Sequence, residues 1–293
     1  MRRLFTNHEV VVGIDGSPAA MAAAHYARWQ AELRGLDLVL THSYDIPALQ
    51  EPISGEFFTG LHDVGQALLN SAVSLLDVPA TMRVRTLLQQ TAPAFLLEQA
   101  ATASALVVIG QPASGWYERL TSDGVAHSLV RGASCPVILV PAGWRPVAPD
   151  TRPVVVALAG TSAAADALAI AFHEADLRGT GVLALHVIDP QEYPPDEAGQ
   201  ERNIVQLLAG SKQDFPHVPV DVQLVTDQTV PALLGFSAVA SLLVVTASHG
   251  SGLGSWARSV AQGVLRRAEC PVVVAPSGVV AVARERRVVP AAR

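Results

Sequence analysis

The segment "GASCPVILVP", residues 132–141, decides the fold, because nearly the same segment returns close to the other end of the chain. There, residues 267–276 read "RAECPVVVAP", and both copies share the pattern Cys-Pro-Val-x-x-x-Pro. Cys135 and Cys270 are 135 residues apart. A short apolar run bounded by prolines is typical of a buried strand. The repetition therefore predicts two copies of one domain, each ending in this strand.

Four further segments recur in the same order along the chain, which makes a chance repeat very unlikely. "VVVGIDGSPAA" at residues 10–20 resembles "VVVALAGTSAA" at residues 154–164, and His42 in "LVLTHSYD" corresponds to His186 in "VLALHVID". "QTAPA" and "QTVPA" form a third pair, and "ALVVIG" and "LLVVTA" a fourth. The offset falls from 144 to 135 residues, so the second half has shorter connections.

Each half alternates short apolar runs with helical stretches in the order of five strands separated by helices. Continuous β-branched runs indicate parallel strands buried on both faces. The pattern predicts an α/β protein with two tandem doubly wound, Rossmann-like domains, each with a five-stranded parallel sheet flanked by helices. The proline-rich stretch at 141–153 predicts a boundary that gives domains of residues 1–145 and 146–293. The second domain carries a basic tail, "ARERR" at residues 283–287, for which we predict no specific role.

Composition excludes several classes of protein. The chain has 293 residues, of which half are hydrophobic and 16% charged, and its net charge is −6. These values exclude a disordered chain and disfavour a nucleic-acid partner, which normally requires a basic surface. No apolar run approaches the length of a membrane span, and the first residues do not form a secretory signal. We therefore expect a cytoplasmic protein without a membrane partner, whose two cysteines are buried thiols.

Ligands of doubly wound sheets bind outside the carboxyl ends of the strands, where the strand order reverses. In the first half these ends are the turn Asp15-Gly16-Ser17, Ser43 and the segment from Gly110. Ser17 is a candidate N-cap of an alanine-rich helix that ends at Gly35, and Gly179 ends the matching helix of the second half. In that half the corresponding positions are 159–161, Val187 and the segment from Thr246.

Taken together, these segments resemble the universal stress protein family, in two copies covering nearly all of residues 8–276. The resemblance implies a cytoplasmic protein of stress or dormancy adaptation, and many members of the family bind ATP with little or no turnover. The ATP binders carry Gly-x-x-Gly, nine further residues, then Gly-Ser or Gly-Thr, with an Asp at the end of the first strand that holds the base or sugar. Glycines let backbone amides approach phosphates, and a helix N-terminus adds free N–H groups.

The first half keeps the spacing of that motif but changes its chemistry. Asp15 corresponds to the family's Asp, and Gly110 to the first glycine. Ala113 replaces the second glycine, and Asp123-Gly124, followed by Val125, stands where Gly-Ser belongs. A carboxylate near a helix start caps the helix itself and repels phosphates.

The second half loses different parts of the motif. Ala159 replaces the Asp, Ala247 the first glycine and Arg258 the third, although Gly250 and Ser259 fit the second glycine and the hydroxyl. Seven residues instead of nine separate Gly250 from Arg258. The loop is therefore either an anion-friendly pocket or a Gly/Ser-rich surface loop.

We predict a non-catalytic regulatory protein with degenerate nucleotide sites and weak or absent ATP binding. The alternative is a universal stress protein that binds ATP or hydrolyses it slowly in the first cleft, and a weaker one is a flavoprotein-like domain. No nucleophile with an adjacent base and no metal-ligand cluster is evident. We interpret His42 and His186 as structural, Glu174 and Asp176 as solvated charges, and residues 44–61 as a long connection.

The repeated Cys-Pro-Val strand is predicted to be the fifth of each half and to lie at a sheet edge. Apolar edge strands invite pairing, and the resemblance implies that such last strands pair between subunits. We expect Val137–Val140 to pair with Val272–Val274, so that one chain forms an intramolecular pseudo-dimer, with a homodimer as the other arrangement.

Overall fold

The computed structural model describes residues 4–44, 55–111, 133–158, 163–188, 197–246, 260 and 263–275. The chain divides into two compact units, residues 1–146 and residues 147–293, and each is described separately. The first unit contains these elements: β1 Glu9–Gly13, α1 Pro18–Arg34, β2 Asp37–Tyr44, α2 Gly55–Leu75, β3 Val84–Gln90, α3 Pro93–Ala103, β4 Leu106–Gly110 and β5 Val137–Val140. The second contains β6 Val154–Ala157, α4 Ala163–Arg178, β7 Val182–Ile188, α5 Glu197–Asp214, β8 Val220–Thr226, α6 Thr229–Ser237, β9 Leu242–Thr246 and β10 Val272–Ala275.

Within the described residues, each unit contains five parallel strands in the same spatial order. In the first unit the order is β3-β2-β1-β4-β5, and in the second it is β8-β7-β6-β9-β10. Every pairing within a unit is parallel. The repeat even extends to register, since Val10 lies opposite Leu38 and Val154 opposite Val182. The predicted fold class is thereby confirmed. The strand order reverses between β1 and β4 in the first unit and between β6 and β9 in the second.

The core of each unit is built on a central valine strand. Residues 10–12 of β1 and 154–156 of β6 are all fully buried, as expected of strands covered on both faces. Helix α1 packs on the sheet through alanines spaced three or four residues apart, among them Ala20, Ala23 and Ala27. Small side chains let the helix backbone approach the sheet closely.

The helix ends follow the local sequence signals. Ser17 caps α1, because its Oγ accepts a hydrogen bond from the Ala20 N–H at 3.1 Å. Gly35 ends the helix in the left-handed conformation with φ of 62°, and Gly179 follows α4 with φ of 65°. These three predictions are confirmed. The predicted long connection over residues 44–61 is wrong at its end, because α2 already begins at Gly55.

A buried ion pair corrects the interpretation of Glu174 as a solvated charge. The Glu174 and Arg178 side chains are only 4% and 3% exposed, and Arg178 donates to the Glu174 carboxylate at 2.9 Å. The two residues are four apart on α4, so they lie on one helix face. The first unit carries Gln30 and Arg34 at the corresponding positions of α1, and Arg34 donates to the Gln30 side-chain oxygen.

Both cysteines lie two residues before the last strand of their unit, and both are buried free thiols. Burial raises the pKa of the Cys270 thiol to about 12. A thiol that stays protonated is a poor nucleophile and a poor metal ligand. The prediction that the cysteines are small apolar residues is therefore confirmed. Cys270 is buried and its thiol stays uncharged, and Cys135 is buried.

Candidate functional site

The candidate site of the first unit lies where three neighbouring strands end. The strands β2, β1 and β4 are adjacent and parallel, so their carboxyl ends meet at one edge of the sheet. The turn Asp15-Gly16-Ser17 follows β1, Ser43 is the penultimate residue of β2, and Gly110 is the last residue of β4. This edge is the switch point at which ligands bind in doubly wound folds.

Asp15 presents an exposed carboxylate that is held by its own turn. Its Oδ1 accepts a hydrogen bond from the Ser17 N–H at 2.9 Å. This short-range bond fixes the carboxylate next to the first turn of α1 and leaves its remaining lone pairs directed away from that bond. Asp15 can therefore accept hydrogen bonds from a ligand without any rearrangement of the turn.

Gly16 lets helix α2 approach the turn. Its φ is +83°, a conformation that favours glycine, and a Cβ at this position would lie 2.9 Å from Leu68 Cδ1. Further along the same helix face, a Cβ at Gly65 would lie 2.8 Å from Leu88 Cδ1 and 3.0 Å from His42 Cδ2. Helix α2 therefore packs against the ends of β2 and β3 and brings the Leu68 side chain onto the turn.

Gly110 is required by packing between β4 and α1. A Cβ built on it would lie 2.4 Å from the carbonyl carbon of Ala19 and 2.7 Å from the nitrogen of Ala20. Both atoms belong to the helix backbone, which cannot move aside as a side-chain end can. The glycine that matches the first position of the phosphate motif is therefore explained by close contact between a strand and a helix.

His42 and His186 have the same structural bond in the two units. The Nδ1 of His42 donates to the Ile14 carbonyl at 2.7 Å, and that of His186 donates to the Leu158 carbonyl at 3.0 Å. A carbonyl can only accept, so the proton is on Nδ1. Each imidazole therefore fixes the backbone just after the first strand of its unit, which is the structural role predicted for it.

Several predicted site residues lie outside the described part of the chain, namely Ala113, Gly124, Val125, Gly250 and Ser259. In the second unit the described site residues are the end of β6, Val187 and Thr246, of which Thr246 is buried. Among the described residues, no group of three His, Cys, Asp or Glu side chains is arranged to hold a metal ion. Within the same ranges, no helix is long and apolar enough to cross a membrane.

Comparison with known proteins agrees with the repeated geometry. The model of the universal stress protein family matches residues 6–141 and again residues 151–276. The chain belongs to the universal stress protein family. It is 32% identical over 285 residues to universal stress protein Rv2623 of Mycobacterium tuberculosis, covering 91% of this chain and 95% of that protein. Universal stress protein Rv2005c of the same organism is 31% identical over 287 residues, covering 92% and 97%.

A solved structure of low sequence identity shares the fold of this universal stress protein. The crystal structure of a universal stress protein from Archaeoglobus fulgidus superposes with a TM-score of 0.69. The alignment covers 93% of this chain and 98% of that one at 15% identity. At this identity the likeness establishes the shared fold.

Two features of the site in this universal stress protein were not predicted from the sequence. Leu68 and Gly65 belong to α2, which the sequence pattern did not connect with the strand ends. One signal was available, because a glycine inside a helical stretch often marks a close packing contact. The packing role of Gly110 also depends on β4 lying beside β1, which follows only from the strand order.

Proposed function

We propose that this universal stress protein is a non-catalytic cytoplasmic regulator of stress adaptation whose two clefts bind ATP weakly or not at all. The observation that carries the proposal is the contact between Gly110 and the first turn of α1. Because strand β4 ends directly against the backbone of α1, Gly110 does not open space for a phosphate. The exposed Asp15 carboxylate, which follows the neighbouring strand β1, adds a negative charge at the same edge of the sheet.

The sequence of the loops supports the same proposal. In the first unit, Ala113 and Asp123 replace groups that would let phosphates approach backbone amides. In the second unit, Ala159 removes the carboxylate that would hold a sugar or base. These three residues lie outside the described ranges, so this support comes from their chemistry alone.

A second candidate function is ATP binding or slow ATP hydrolysis in the cleft of the first unit. It is favoured by one observation, the exposed Asp15 carboxylate at the switch point. Gly16, Ser17, Ser43 and Gly110 would then surround the bound nucleotide.

Phosphate release distinguishes the two functions. With ATP and Mg²⁺ at saturating concentrations, we expect the purified protein to release phosphate no faster than the buffer does. Under the second function, either tight ATP binding in a calorimetric titration or phosphate release would be measurable, and Asp15→Ala would abolish it. Asp37→Ala, in the same unit but at the amino end of β2, is the matched control and should change nothing.

We further propose that the last strands, β5 and β10, pair with each other. Among the described residues of its own unit, each comes last in the strand order, next to β4 or β9. Both are short and apolar, and such edges favour pairing over exposure.

Hydrogen exchange tests this pairing. Val272→Lys should increase amide exchange not only in β10 but also in residues 137–140 of the other unit, because a buried charge would disrupt the shared edge. Exchange that rises in the second unit alone would contradict the pairing.

A further inference from the structure

Three aromatic side chains form a cluster on helix α1 of the first unit, about two helical turns beyond the strand-end site. Tyr26 is fully buried, and its ring centroid lies 5.4 Å from that of Trp29 and 5.0 Å from that of Trp144. Both contacts have the edge-to-face geometry that aromatic pairs prefer. Trp144 belongs to the turn after β5, and both indoles are half-buried, so part of each ring lies at the surface.

A buried polar network fixes the ring on which the two indoles pack. Gln30 is fully buried, and its side-chain amide donates to the Tyr26 hydroxyl at 2.9 Å. The oxygen of the same amide accepts from Arg34. Because both ends of the amide are bonded, Tyr26 is held in one orientation, and the indoles are ordered before any partner binds. Such preorganisation lowers the entropic cost of binding.

Two arginines border the indoles and make this part of the surface positive. Arg145 is exposed, and its guanidinium donates to two carbonyls of its own turn. Arg28 is half-buried and pairs with Glu32 at 3.1 Å. The pKa of His25 is lowered by burial and further by Arg28 and Arg145, which places both cations near this histidine. Two cations against one carboxylate leave a positive surface on a chain whose net charge is −6.

The second unit shows that the fold does not require these cations. At the offset of 144 residues, helix α4 has Ala169 and Phe172 at the positions of His25 and Arg28. Phe172 is fully buried, and its ring centroid lies 6.3 Å from that of Phe215. The same helix therefore packs on the same strand order with apolar residues at these positions. The positive groups of the first unit need an explanation other than folding.

The indole surface consists of His25, Arg28, Trp29, Trp144 and Arg145. Tryptophan, tyrosine and arginine are the residue types most enriched among those that dominate binding energy in protein interfaces. We propose that the indole surface binds an acidic segment of a partner protein that carries an aromatic residue. The indoles pack against that ring, and the two arginines pair with the flanking carboxylates. The Glu32 carboxylate and the negative net charge disfavour a nucleic acid, whose phosphates repeat at every nucleotide. Because this surface lies apart from the cleft, the inference goes beyond the proposed function.

Selection from a library of short random peptides displayed on phage, with the full chain as the immobilised target, tests the proposal. We expect the enriched peptides to be rich in aspartate and glutamate and to contain an aromatic residue. The most enriched peptide, synthesised and labelled, should bind in a fluorescence-anisotropy titration with an affinity that falls as salt is raised. Enriched peptides that are neutral or basic, or no enrichment over the empty support, would overturn the inference. A single-stranded oligodeoxythymidylate that binds more tightly than the peptide would also overturn it.

Two pairs of substitutions show whether the selected peptide binds at the indole surface. Arg28→Gln with Arg145→Gln should weaken the peptide about tenfold at low salt, because glutamine has no charge to pair with its carboxylates. Arg83→Gln with Arg202→Gln is the matched control, since both arginines are exposed and the net charge changes equally, and it should leave the affinity unchanged. Trp29→Ala should weaken the peptide about tenfold by removing one indole. Equal affinities of the two arginine pairs for the peptide would overturn the inference.

Discussion

Arg178→Met should destabilise the second unit by about 3–5 kcal/mol, the usual cost of removing one partner of a buried ion pair. The Glu174 carboxylate is 4% exposed and would keep its burial while losing the guanidinium that donates to it. Methionine retains most of the apolar stem, so the loss would come mainly from the charge. Hydrogen exchange in peptides of α4, followed on the full chain, measures the change in the unit concerned.

The matched control is the exposed pair of the other unit. Arg28 and Glu32 are also four residues apart, at 3.1 Å, but they are 23% and 51% exposed. Arg28→Met should therefore cost less than about 1 kcal/mol. Equal effects of the two substitutions would show that the burial of Glu174 and Arg178 is not what makes their pair important.

The single variant Glu174→Gln, with Arg178 retained, imitates the first unit, where Gln30 accepts from Arg34. Because the amide oxygen can still accept, this change should cost clearly less than Arg178→Met. The chain thus contains a natural reference for its own buried ion pair.

Gly110→Ala should have the second largest effect, with a loss of about 3 kcal/mol or more in the stability of the first unit, at the upper end for overpacking. The added Cβ would lie 2.4 Å from the Ala19 carbonyl carbon, which belongs to a helix backbone. The helix would have to separate from β4 to accommodate it. Denaturant unfolding with exchange in α1 peptides measures the loss.

Gly60→Ala is the control for this substitution. Gly60 lies in α2, and nothing lies within 4 Å of a Cβ built on it. The change should stabilise the helix by about 0.5–1 kcal/mol, since alanine loses less conformational entropy than glycine. A Gly110→Ala protein as stable as the parent would contradict the close contact between β4 and α1.

The fold could be predicted because its determinants are local and repeated. The apolar runs at 10–12 and 154–156, Ser17 as a cap and Gly35 as a stop each carry their signal in a few neighbouring residues. The repeat then predicts the same order of elements in both units. Because these independent signals agree, the sequence predicts the architecture of both units.

The site was harder to predict because its contacts join residues distant in sequence. Gly110 matches a phosphate motif, yet its packing against Ala19 depends on a strand and a helix that are far apart along the chain. Leu68 reaches Gly16 from a helix with no motif of its own. Glu174 was predicted to be solvated because it is charged. The signal for the buried ion pair was its spacing, since Arg178 follows four residues later on the same helix face.

The nucleotide content of the purified protein tests the central claim most directly. Protein prepared without added nucleotide is heated, and the released ligands are separated by chromatography and identified by mass. We predict that ATP amounts to a small fraction of the chain concentration, because a weak complex dissociates during purification. ATP released in near-equal amount to the chain would contradict the account.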